Sequence, residues 1–196
     1  MAPVSEISQT PQPPVQAQVE ALTAVAKKLA GEGKDAQALE AYKTASGLMP
    51  GAPWLQHRTA ELARKLKQPE VAALHYRRAA AAFIAAGFPK RALAPLRTAW
   101  QVCIGLLPGN SSSFITITLE LANVQRELGF AADAKLTLSN TNQALRASGS
   151  PDRVPTADLV GLRSSRPPAD SVPESGVKHV PLSTGLMSRL QGAVKP

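Results

Sequence analysis

Three histidines and one cysteine are the side chains of this sequence best suited to catalysis or metal binding near neutral pH. His57 and Glu61 stand four residues apart, with Arg64 three further on, so on a helix the three would share a face. A zinc-binding helix would need a second histidine four residues from the first, and none is there. His75 sits beside Tyr76 in an alanine-rich stretch, where a histidine usually marks the edge of a buried face, and His179 lies near the C-terminus. A single cysteine, Cys103, excludes an intramolecular disulfide and a cysteine-only metal site, and reads as a buried thiol in a reducing compartment. The glycines of "GEGKD" follow no strand, so they do not form a phosphate-cradling loop. No Gly-x-Ser-x-Gly, CxxC or paired-carboxylate pattern occurs. No cofactor is expected, and the function reads as non-catalytic.

The segments that would carry these residues are helical. Alanine is abundant, aromatic residues make up 4% of the chain, and alternating Val/Ile runs are scarce. "QAQVEALTAVAKKLA" places Val19, Leu22, Val25, Ala26 and Leu29 at three- and four-residue steps, as one apolar face. A second helix is expected over 35–48, before the "PGAP" turn. A third is "WLQHRTAELARKLKQ", and a fourth starts at Pro69, where a proline is tolerated, and stops at Gly87. The fifth contains Pro95, which should kink its first turns or delay its start. The sixth follows "SSS" with a serine cap and stops at Gly129, and the seventh runs on to about residue 147.

Seven short helices joined by tight turns call for a repeat test. Val25, Ala26, Leu29, Gly33, Ala38, Tyr42, Ala45 and Pro50 fall at the spacing of one 34-residue unit, and Ala60, Ala72, Tyr76 and Ala79 repeat part of it with Lys67 in place of the glycine. Further frames place Ala80, Phe83, Gly87, Ala92, Leu96 and Ala99, then Leu121, Ala122, Gly129, Ala134 and Leu138. This pattern resembles the tetratricopeptide repeat. Small residues let paired helices approach closely, and the tyrosine fills the space between pairs. The resemblance implies an all-α fold: a short helical solenoid of about seven helices over 16–147. The units are either three regular pairs plus a helix or four overlapping ones. A plain helical bundle is the alternative architecture. The stretch 53–96 is also similar to the N-terminal repeat arrays of multidomain bacterial signalling proteins.

The formal net charge is +8, and its placement is informative. Residues 58–97 hold Arg58, Arg64, Lys65, Lys67, Arg77, Arg78, Lys90, Arg91 and Arg97 against Glu61 and Glu70. Such a patch concentrates anionic partners. The family's first helices line the groove that holds a peptide. By that frame the partner-binding residues would be Trp54, His57, Glu61, Arg64, Lys65 and Arg77, with Glu20, Thr23 and Lys27 from the first unit. The resemblance therefore implies an adaptor for a peptide or helix of a protein partner carrying acidic segments, as in a bacterial signalling or polarity complex. Nucleic-acid binding through the basic face is the alternative, though exposed aromatics for base stacking are missing from it.

The flanks differ from the helical part. Residues 1–15 are rich in Pro and Gln and read as a disordered arm, and 148–177 as a disordered linker. In 178–196, Leu182, Leu186, Leu190 and Val194 recur every four residues with Met187 beside them, the pattern of an amphipathic docking segment. No apolar run approaches the roughly 20 residues of a membrane span. The N-terminus lacks a basic start and an apolar centre, so a cytoplasmic protein is expected.

Overall fold

A computed structural model describes residues 14–155. Among them the chain is all-α, with helices α1 (Val15–Gly31), α2 (Asp35–Leu48), α3 (Pro53–Lys65), α4 (Pro69–Ala85), α5 (Pro89–Ile104), α6 (Ser111–Glu127) and α7 (Ala131–Ala147). Each helix packs on its neighbours in sequence, which is the solenoid arrangement. No helix of the described residues is long and apolar enough to cross a membrane. Residues 1–13 of the expected arm lie outside the described residues. So does the docking segment with Leu182, Leu186, Met187, Leu190 and Val194.

The turns follow a rule. After α1, α3, α4, α6 and α7 the second residue past the helix has a positive φ: Gly33, Lys67, Gly87, Gly129 and Gly149. The next backbone N–H then reaches back to a carbonyl five residues earlier, as in Lys34 to Leu29 and Phe130 to Gln125, at 2.8–3.0 Å in all five cases. This closure satisfies the carbonyls at the helix end and folds the chain back sharply. The connections after α2 and α5 instead run through Pro50 and Pro108. Helix α4 is thus bounded by left-handed turns on both sides. It acts as second helix to α3 and first helix to α5, in line with the overlapping frame.

Lys67 does the work of a glycine at φ 55°. A side chain in this region costs about 1–2 kcal/mol, partly offset by the entropy glycine loses on folding. Lys67→Gly is therefore expected to stabilise the protein by about 0.5–1 kcal/mol and raise its melting temperature by a few degrees. A denaturation midpoint at or below that of the parent would show that the turn is not strained.

The small residues of the repeat frame are buried as expected: Ala26, Ala38, Ala45, Ala60, Ala72, Ala79, Ala92 and Ala99 are inaccessible, and Tyr42 and Tyr76 are 6% and 2% exposed. Val25 departs from this, at 51% exposed. Helix α1 is the first of the described helices, and the stripe it buries is Val19, Thr23 and Ala26. Pro95 neither delays α5 nor lies near its surface; the helix starts at Pro89 and carries Pro95 inside it, buried. Ser111 is the first residue of α6 rather than its cap, and its hydroxyl donates to Pro108 O at 2.7 Å.

Packed chain extends beyond the 147 boundary. Gly149 turns the backbone, Ser150 pairs with Ser111 at 3.0 Å, and Val154 is 2% exposed. Asn142 of α7 binds both main-chain groups of Val154: its Nδ2 donates to the carbonyl at 3.0 Å and its Oδ1 accepts from the N–H at 2.8 Å. Pro155 stands only four residues beyond Pro151, which disfavours a further helix here. The segment is held against α7 by this pair.

Candidate functional site

Helices α1 and α3 flank a groove of about 340 Å³ whose floor is Tyr42 of α2 and Leu62. Tyr42 is placed there by the frame: Ala38 and Ala45, one turn to either side, leave room for the ring. Burial pushes the Tyr42 hydroxyl above its ordinary pKa, while the positive charge of Arg58 acts the other way. Lys27, Arg58 and Lys65 surround the floor, with Glu61 as the one acidic residue of the lining. Helix spacing explains the grouping, since Arg58, Glu61, Leu62 and Lys65 lie at steps of three, one and three along one face of α3.

Three of these four charges are already engaged. Arg58 donates to Glu61 Oε2 at 2.9 Å, and Lys65 Nζ reaches Asp35 Oδ2 at 2.6 Å, tying α3 to the start of α2. Lys27 has no ion-pair partner among the described residues, and it faces the groove from α1. The lining thus carries an excess of positive charge over an apolar floor.

The six residues singled out from the sequence do not form one site. Glu61 and Lys65 join Lys27 at the groove. His57 and Arg64 gather around Tyr76 of α4: the His57 ring meets the tyrosine edge-on at 5.5 Å and also approaches Glu61 at 3.4 Å. Arg64 hydrogen-bonds the Tyr76 side chain, whose pKa burial nonetheless raises. Arg77 turns away to α6, where Nε donates to both carboxylate oxygens of Glu120 at 2.8 and 3.0 Å. Trp54 is 48% exposed in the first turn of α3. Sequence reading missed Arg58, Tyr42 and Leu62 as lining. The signal for Arg58 was its place one turn before Glu61 and two before Lys65.

A buried polar pair was also missed. Gln56 is 1% and His75 5% exposed, so His75 lies inside rather than at an edge. Gln56 Nε2 donates to Ser46 O and Pro50 O at 3.2 and 3.3 Å, which leaves its Oε1 to accept from His75 Nδ1 at 2.8 Å. Carbonyls only accept, so the proton must sit on Nδ1. Burial, with Arg78 and Lys43 nearby, lowers the His75 pKa to about 4. The imidazole is a neutral clamp that pins the turn after α2 to α4.

Burial pushes the Cys103 thiol up to about 11, which keeps it protonated and unreactive at neutral pH. Among the described residues no three His, Cys, Asp or Glu side chains cluster as metal ligands.

No protein-family model and no curated protein matches the chain. Among the solved structures similar to it are two that each share 13% identity. One is BtubC (BKLC) from P. vanneervenii, with a TM-score of 0.39 over 75% of this chain and 70% of that one. The other is the MamA protein, with a TM-score of 0.31 over 68% of this chain and 77% of that one.

Proposed function

We propose that this chain is a non-catalytic interaction scaffold of the tetratricopeptide kind, and that it binds an acidic segment of a protein partner in the groove between α1 and α3. The observation that carries this reading is the ring of Lys27, Arg58 and Lys65 over the Tyr42–Leu62 floor. An apolar side chain of the bound segment would enter against Tyr42, with carboxylates on either side meeting the cations. The recurrence of buried small residues with left-handed turns supports the repeat assignment.

Panning a random peptide library on the full chain is expected to return sequences with Asp or Glu flanking an apolar residue. Their binding should weaken as salt is added, because exposed charges are screened within about 8 Å at physiological ionic strength. Lys27→Glu with Arg58→Glu should weaken those peptides by about tenfold or more. Selected peptides without acidic enrichment, or peptides indifferent to the double change, would overturn the proposal. Tight heparin or RNA binding abolished by the same double change, with no peptide selected, would favour the nucleic-acid reading instead.

A further inference from the structure

A second cleft, of about 300 Å³, lies between α5 and α7 with α6 beneath it. Both α5 and α7 follow left-handed turns, so each is the second helix of its pair. The repeat resemblance assigns peptide binding to first helices, and this cleft is therefore on a face it leaves unused. Trp100 forms one wall, its indole N–H held by Thr141 at 2.9 Å and its ring tilted on Phe114 at 5.7 Å. Leu121 contributes an apolar floor, and Leu136 is 60% exposed at the lip.

Gln125 supplies the polar feature. It is only 3% exposed, and its Oε1 accepts from Thr137 at 3.0 Å. No described group accepts from its Nε2, yet that atom is not among those sealed from solvent, so its donors point to the cleft. Water reaches this donor in the free protein, and a bound main-chain carbonyl would take that water's place with a direct hydrogen bond. The rim carries one cation and one anion, Arg97 and Asp133, 3.7 Å apart. Their charges sum to zero, which suits an uncharged guest and gives no pull on a charged one.

Helix α7 already binds a non-helical stretch of chain in this manner. Asn142 pairs with the N–H and carbonyl of Val154 while the valine side chain is buried. A carboxamide beside an aliphatic recess is the same chemistry that Gln125, Trp100, Leu121 and Leu136 offer in the cleft.

We propose that the α5–α7 cleft is a second peptide site, which takes an extended, uncharged segment of a protein partner. One aliphatic side chain packs against Trp100, Leu121 and Leu136, and the adjoining carbonyl accepts from Gln125 Nε2. The site is independent of the basic groove, so its test uses the full chain with Lys27→Glu and Arg58→Glu in place. A random peptide library panned on that protein is expected to yield uncharged sequences with an aliphatic residue, whose binding is unchanged by added salt. Leu136→Glu, an exposed change that spares the fold, should weaken them about tenfold or more by placing a charge against the guest. Gln125→Leu should weaken them too, with a melting curve recorded alongside to confirm folding. Failure to select any peptide, or selected peptides that bind the folded Leu136→Glu protein equally well, would overturn the proposal and leave the reading of the basic groove intact.

Discussion

Replacing Tyr42 by alanine is expected to lower the unfolding free energy by about 3–5 kcal/mol, the range for removing a large buried side chain. The ring is 6% exposed and packs in a cluster with Val19, Ala26, Ala45, Ala52 and Leu55. The larger cluster, built on Tyr76, Leu96, Phe114 and Leu121, is separate from this one, and Leu62 packs against both. In a solenoid each unit is stabilised by its neighbours, so damage at one end stays local. The loss should therefore appear first as faster amide exchange in α1 and α2, with α4 to α7 retaining protection. Tyr76→Ala, placed in the larger cluster, should instead reduce protection across α3 to α6. A Tyr42→Ala protein that melts with the parent, or one that loses protection uniformly, would contradict the two-cluster picture.

Much of this architecture was legible because repeats enforce a spacing. Ala38, Tyr42 and Ala45 could be read as one buried face since helix pitch alone brings them together. Helix ends at Gly33, Gly87, Gly129 and Gly149 were readable for a similar reason: glycine is the residue that tolerates the turn. Lys67 takes the same turn without the residue that signals it, and only the backbone reveals that. The buried stripe of α3 is harder, because Gln56 and Thr59 sit in it among Leu55, Ala60 and Ala63. A polar residue on an apolar face reads as an interruption until its partners are known, and those of Gln56 come from α2, the following turn and α4. The candidate site was half legible. Glu61 and Lys65 are where helix periodicity places them, but Arg77 finds Glu120 across 43 residues of sequence. Such a pairing depends on the angles between helices, which no local pattern encodes.

The Gln56–His75 clamp makes stability depend on pH in a defined window. The histidine pKa is near 6.5 in an unfolded chain and about 4 in the folded protein, so the unfolded state binds the extra proton at pH values between them. The clamp's contribution is complete above about pH 6.5. It falls as the pH drops from there to about 4, by about 3 kcal/mol in all, and this group takes no more below that. The physical cause is burial: a protonated ring would place a charge inside the protein, and Arg78 and Lys43 add repulsion to that cost. Carboxylates also titrate toward the lower end of the window, so the informative quantity is a difference between two proteins. His75→Gln has no proton to gain there. It is expected to start less stable at pH 7, because a glutamine amide cannot reproduce the ring's geometry against Gln56. Between pH 7 and about 4.5 it should then lose about 2–3 kcal/mol less than the parent in urea melts. Equal losses in the two proteins would mean that His75 accepts its proton without cost, and that the turn after α2 is held by the carbonyl contacts of Gln56 alone.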